Sequence, residues 1–306
     1  MSLRLIPWPV LGAIFVAGSF VLTAPLSLAT EQIAALGDPA PEMAEPVPTG
    51  EFVGVGVSRQ DTVPTWQRFA ATSPDADGRP MIVLVMDDLG IDPARVDRAV
   101  ALDPRVTLAF LPYTPKVERG AWLARRAHHE ILVHLPMEPV GEIADPGPNA
   151  LLSDLGREEL IRRLYWNLNR FGEFVGVNNH MGSRLTTDWE AMTVVLLELH
   201  ARGLLYLDSV TTAATVGPDV ARDLGMLELR RDVFVDTVRT PEGIAAALGR
   251  LEAVARANGL AIGIVHPYDE SFAAIEPWIA GLEARGLVLV PLSAAARHLQ
   301  ESEPGF

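Results

Sequence analysis

The chain has no cysteine. Disulfides, thiolate nucleophiles and cysteine-type zinc sites are therefore excluded, and any metal must sit on His, Asp or Glu. Lysine is almost missing too: Lys116 is the only one, and arginine supplies the other cations. Acids outnumber bases by 39 to 25, for a formal net charge of −14. Such a chain lacks the basic face that nucleic acid requires, and its acidity reads as solubility. No G-x-G-x-x-G follows the first strand-like run, and no P-loop occurs, which weakens any nucleotide reading. What is present is ordinary for a folded protein: 306 residues, 49% apolar and 21% charged, enough for one large domain or two modest ones.

Residues 1–30 carry one early cation, Arg4, and then an apolar run about long enough to span a bilayer. They predict a signal peptide or a membrane anchor. The small residues around Ser27-Leu28-Ala29 suit signal peptidase, whereas residues 5–29 would tether an uncleaved chain to the inner membrane. Either way the rest crosses the membrane, so the expected location is periplasmic or exported, with membrane contact through this segment only. Residues 31–79 shift to Pro, Ala, Gly and acids, as in GDPAPEMAEPVPTGE, and read as a disordered linker. Residues 80–306 read as the folded domain.

There the texture becomes a regular alternation. MIVLVMDD, VTLAFLP, EILVHLP, FVGVNN, LLYLDS, DVFVD, LAIGIVHP and LVLVPLS predict strands, with helical patterns between most of them. Near-continuous apolar strands separated by helices predict an α/β fold with a parallel sheet covered by helices. Roughly eight strands suit a closed or nearly closed (β/α) barrel; an open doubly wound sheet is the alternative.

Several predicted strands end in residues that are costly to bury: Asp87-Asp88, His134, Asn178-Asn179-His180, Asp208-Ser209, Asp236 and His266. In parallel α/β folds all strand C-termini open on one face, and that face carries the site. Singly, each Asp reads equally well as a helix cap and each His as a structural residue. Together they suit a shared divalent metal, which would offset their mutual repulsion and desolvation. His128, His129, His200 and His298 lie in or at the ends of predicted helices and are assigned structural or surface roles.

The stretches VLVMDDLG, HLPMEP, NNHMGSR, LDS followed by TT, RDVFVD and IVHPY, in this order, resemble the divergent polysaccharide deacetylases of bacteria. The resemblance runs from Met81 to about Leu299. It implies a distorted (β/α) barrel of the polysaccharide deacetylase type, and a metal-dependent hydrolase that removes acetyl groups from sugars. By the family pattern Asp87 would be the catalytic base, Asp88 a metal ligand, His134 a second ligand, and His266 the acid. The chain departs from the better-known branch twice: Glu138 stands where a second metal-binding His is usual, and Asn178-Asn179-His180 replaces an Arg-Pro-aromatic motif. His180 would then complete the metal set with Asp88 and His134. Glu138 is open as a ligand, as a partner behind His134, or as a solvated loop residue.

Two imidazoles and a carboxylate suit one divalent metal, zinc first. Asn179, Arg184 and Asp208 are assigned to substrate, with Arg184 open also as a residue that orients Asp87 and reading at least equally well as a salt bridge across the barrel mouth. Adjacent strand residues point to opposite sides, so Asp87 and Asp88 share a site only if the strand ends there; Leu89-Gly90 suggests that it does. The expected partner is a polysaccharide or peptidoglycan-like glycan of the cell envelope, and no nucleic acid. Two other readings stand beside the hydrolase: a non-catalytic periplasmic carbohydrate- or cell-wall-binding protein that keeps the barrel, and, with less support, a metal-dependent phosphoester hydrolase.

Overall fold

The computed structural model describes residues 63–141 and 144–302. The expected signal or anchor segment and the linker as far as residue 62 lie outside the described residues. The apolar runs become strands β1 (Met81–Leu89), β2 (Thr107–Phe110), β3 (Ile131–Met137), β4 (Gly176–Met181), β5 (Leu205–Asp208), β6 (Leu229–Arg230), β7 (Val233–Phe234), β8 (Leu260–Val265) and β9 (Val288–Leu289). The helices are α1 (Thr65–Arg68), α2 (Pro93–Val100), α3 (Val117–Arg126), α4 (Arg157–Leu168), α5 (Trp189–Ala201), α6 (Gly217–Asp223), α7 (Pro241–Asn258), α8 (Asp269–Ala280) and α9 (Leu292–Ser302). Among the described residues no helix is long and apolar enough to cross a membrane.

Every strand pairing is parallel, and the order is β6-β5-β4-β3-β2-β1-β8-β7. From β1 to β6 sequence neighbours are spatial neighbours, β7 follows β8 on the other side of β1, and there is no reversal of the kind that defines a doubly wound sheet. The two edges, β6 and β7, are separated by Arg231 and Asp232 alone, a link that reaches about 10 Å at most. The sheet must therefore curl until its edges come close, which gives a distorted (β/α) barrel with one seam. β8 pairs with β1 from Met81 to Met86. The other edge of β1 is shared: β9 takes Met81 and Ile82, and β2 takes over from Val85.

Strand alternation sorts the core into two parts. Ile82, Leu84, Met86, Ile131, Val133, Leu135, Val177, Tyr206 and Val265 face outward, into the apolar layer made with the helices. Val83, Val85, Leu132, Leu205, Leu207, Ile262 and Ile264 face inward, where they meet Val288, Val290, Leu292, Ala295 and Ala296. β9 and α9 thus plug the base. Glu130, buried just ahead of β3, accepts hydrogen bonds from the N–H groups of Ser293 (3.0 Å) and Ala71 (2.9 Å); burial pushes its carboxyl up.

Three expectations need correction. Residues 63–79 are not linker: Trp66 is buried in the inward cluster with Phe69 packed against it, and the Trp66 N–H donates to Gly203 O at 2.9 Å. A large aromatic ring gains more by sealing the barrel base than by staying in water. β6 and α6 were not anticipated; β6 is only two residues long, too short for its alternation to register.

Candidate metal centre and catalytic site

The inward parity of each strand carries its last residues to the mouth of the barrel. After Val83 and Val85 comes Asp87; after Leu132, His134; after Gly176, Asn178 and His180; after Ile262 and Ile264, His266; after Phe234, Asp236. Asp88 has the wrong parity and reaches the site by another route. Its φ is +58°, and the register between β1 and β2 shifts between Met86 and Leu89. This bulge turns the Asp88 carboxylate back toward the mouth, so two adjacent aspartates serve one site.

Asp88 Oδ1, His134 Nε2 and His180 Nδ1 converge. His180 Nδ1 is 2.9 Å and His134 Nε2 3.2 Å from Asp88 Oδ1, and the two ring nitrogens are 3.2 Å apart. Donors about 2.0–2.1 Å from a tetrahedral ion stand about 3.3 Å from one another, so the triangle fits one face of such a site. Despite these short distances Asp88 Oδ1 is buried without a hydrogen-bond partner of proper geometry. An orphaned buried carboxylate oxygen beside two imidazole nitrogens is the donor set that a divalent cation would satisfy. The three form a possible metal site.

Asn178 holds this arrangement from behind. Its Nδ2 donates to Asp87 Oδ1 at 2.8 Å, and its Oδ1 faces His134 Nδ1 at 2.9 Å. A carboxylate only accepts, so the amide orientation is set by Asp87. His134 Nδ1 must then carry the hydrogen, leaving Nε2 with its lone pair toward Asp88 and His180. Burial disfavours charge on His134, but Asp87 and Asp88 outweigh it and lift its pKa to about 9 in the absence of metal. Burial likewise opposes charge on Asp88, yet the two imidazoles hold its carboxyl well below the usual range.

Asp87 is 1% exposed and stands 3.7 Å from His134 Nε2. Its pKa is raised, because burial outweighs the nearby imidazoles and the Asn178 bond. His266 Nε2 lies 3.9 Å from Asp88 Oδ2. Its other nitrogen, Nδ1, bonds Asp236 Oδ1 at 2.9 Å, while Asp236 Oδ2 accepts from the His266 N–H (2.7 Å) and Ser271 Oγ (2.8 Å). Phe234 stacks on the imidazole, centroids 5.2 Å apart and planes 12° apart. Burial opposes the charged form of His266, but the bond to Asp236 prevails and raises its pKa. The site therefore holds a carboxylate tuned toward accepting a proton and an imidazole tuned toward keeping one. A cleft of about 240 Å³, lined by Asp88, Ile91, Arg95 and Tyr268 among others, opens beside it. Larger hollows of about 660 and 830 Å³ between the outer helices bring together no comparable cluster among the described residues.

The residues assigned to substrate fall elsewhere. Asn179 and Asp208 have outward parity and are 1% and 0% exposed. Asn179 accepts from the Ser209 N–H (2.8 Å) and donates to Met181 O (2.7 Å). Asp208 accepts from the Val210 N–H (2.7 Å) and Thr215 Oγ1 (2.6 Å). Both brace loops beneath the mouth. Arg184 forms an exposed ion pair with Glu138 at 3.2 Å and does not orient Asp87. Glu138 is neither a ligand nor a partner of His134; its other oxygen accepts from the Ser153 N–H at 2.7 Å. His180, not Glu138, supplies the second imidazole. Of the remaining histidines, His129 is buried with Nδ1 2.8 Å from Val106 O, and His128, His200 and His298 are exposed. In the sequence Asn178 and Asp236 are legible only as polar strand ends; counting parity back from the apolar part of each strand singles them out.

Comparison with known proteins agrees with this geometry. The family model for divergent polysaccharide deacetylases matches residues 84–296. The uncharacterized protein YibQ of Escherichia coli is 30% identical over 213 residues, which is 70% of this chain and 66% of YibQ, just under two thirds of that relative. An uncharacterized protein of Haemophilus influenzae is 29% identical over 204 residues, covering 66% of this chain and 71% of its own. The crystal structure of an uncharacterized protein from Agrobacterium tumefaciens superposes with a TM-score of 0.74 at 32% identity, over 77% of this chain and 96% of that one. With the barrel, the strand-end residues and the family match in agreement, the chain is a member of the divergent polysaccharide deacetylase family.

Proposed function

We propose that this protein is a divalent-metal-dependent hydrolase that removes acetyl groups from a cell-envelope polysaccharide or its fragments, with zinc as the metal. The observation that carries the reading is the convergence of three metal-binding atoms between a buried carboxylate of raised pKa and an imidazole of raised pKa. Asp88, His134 and His180 would hold the ion. When bound, it would polarise the acetyl carbonyl and acidify water. Asp87 takes the proton of the attacking water as the new C–O bond forms. His266 gives its proton to the sugar nitrogen or oxygen as the acetyl bond breaks, so the products are acetate and a free amine or hydroxyl. Asp236 keeps His266 oriented and charged for that transfer, and Asn178 keeps Asp87 and His134 in register.

A non-catalytic glycan binder needs the metal set at most. It has no use for an acid held charged by a buried carboxylate, and this favours the hydrolase. An exported location, supported by the apolar run at residues 5–29, would place the enzyme with such a substrate. The test is acetate release by the zinc-loaded protein over a panel of acetylated glycans. Asp87→Asn is expected to keep stoichiometric zinc and lose at least about 10²-fold in rate. Rates like wild type in that variant would remove Asp87 from the base role, and zinc retained by His134→Ala or His180→Ala would remove those ligands.

A further inference from the structure

The aromatic wall around His266 continues past the catalytic ring. Tyr268 lies 5.7 Å from His266, centroid to centroid, and lines the cleft of about 240 Å³ beside Asp88. The guanidinium of Arg239 sits over the Tyr268 ring, 4.5 Å from its centroid. Arg239 is exposed, and among the described residues no carboxylate lies within ion-pair distance of it. The cation that lines the cleft, Arg95, pairs with Asp92 at 3.4 Å. Arg239, stacked on a ring that lines the cleft, is thus a cation without an ion-pair partner among the described residues, on a chain of net charge −14.

Position decides which part of a substrate Arg239 would meet. His266 must face the leaving group, because that is where its proton goes. The wall it shares with Pro267 and Tyr268 therefore borders the sugar and not the acetyl group. The Tyr268 ring holds a long, rotamer-rich side chain in place through its π face, and a guanidinium that makes no ion pair among the described residues can offer a two-pronged bond to a carboxylate. An acidic surface would repel an anionic glycan at long range, so acceptance of one requires a local cation of this kind.

We propose that Arg239, positioned by Tyr268, forms a subsite for a carboxylate-bearing sugar next to the acetylated residue, so that the substrate is an acidic acetylated glycan. This rests on the glycan-hydrolase reading of the neighbouring site. The test uses the full chain, zinc-loaded and carrying Asp87→Asn to suppress turnover, with two calorimetric probes. One is a hyaluronan tetrasaccharide, which bears both acetamides and carboxylates; the other is chitotetraose, which bears acetamides alone. At low salt the hyaluronan probe is expected to bind about tenfold tighter, with the advantage shrinking as salt rises. Adding Arg239→Gln should bring the two probes within about twofold of each other, and Arg239→Lys should restore part of the preference. Equal affinities in the parent, a preference that survives Arg239→Gln, or no binding of either probe would each overturn the subsite. Acetate release by the wild-type chain separates the two readings. Preference without release keeps the subsite in a binding protein, and release without preference rejects the subsite alone.

Discussion

Asn178 is uncharged, cannot bind metal well and performs no chemistry, yet it touches both halves of the site. One amide fixes the orientation of Asp87 and the tautomer of His134. Asn178→Ala is therefore expected to lower zinc affinity by about 10–100-fold, as measured by chelator competition, and to reduce turnover further. Asn178→Asp would present an acceptor to Asp87 and is expected to fail in both measurements. Unchanged zinc affinity in Asn178→Ala would show that His134 needs no such support. The pH profile belongs to the residue scale as well. Activity requires Asp87 deprotonated and His266 protonated, so the rate should rise with pH through the Asp87 pKa and fall through the His266 pKa; burial and Asp236 raise these in the metal-free site, and a bound cation would lower both. Asp236→Asn removes the carboxylate that raises His266 while leaving the burial that depresses it. The alkaline limb should then move to lower pH; a limb that stays in place would assign it to another group.

At the scale of elements, the decisive feature is the end of β1. A regular strand would send Asp87 inward and Asp88 outward, and only the left-handed backbone at Asp88, with the bulge after Met86, brings both to one mouth. Gly90 follows at φ +117°, and a Cβ there would collide with the Thr114 side chain. Gly90→Ala combines a disfavoured backbone with that collision. It is expected to cost about 1–3 kcal/mol in chemical denaturation and to weaken zinc binding by displacing Asp88. Normal zinc affinity with full stability would show that the turn tolerates a side chain. The sequence showed the double aspartate and a Leu-Gly stop. It could not show the handedness of the turn, because that conformation is imposed by β2 and Thr114 across from it. Asn179 and Asp208 show the converse. Both look like site residues when read as polar strand ends, and both belong to the outer parity of their strands, where they brace loops.

For the whole molecule, the curled sheet creates a base that must be sealed as well as a mouth that must stay open. β9, α9 and the Trp66 segment seal it, with Glu130 accepting hydrogen bonds from both sides of the seal. A chain beginning at residue 63 is expected to unfold at a higher denaturant concentration than one beginning at residue 80. Trp66→Ala in the longer chain should lose about 3–5 kcal/mol. Equal stability of the two truncations would return residues 63–79 to the linker. The barrel itself was legible in the alternation of apolar strands and helical patterns. A buried parallel strand needs both faces apolar and each helix one, and those demands are written locally along the chain.

The sequence by itself determined all but one of the strands, their parallel arrangement under helices, the absence of thiol chemistry and the set of histidines and aspartates from which a site had to be built. The tertiary structure alone decided which of those side chains meet. Inclusion depends on strand parity, on one left-handed residue at Asp88 and on pairing between segments far apart in the chain. Thus His180 stands beside His134 because β4 pairs with β3, while Glu138, four residues after His134, is drawn away by Arg184 and Ser153. Proximity along the chain is a weak guide to proximity at the mouth of a barrel, because neighbouring strands, and not neighbouring residues, deliver the groups.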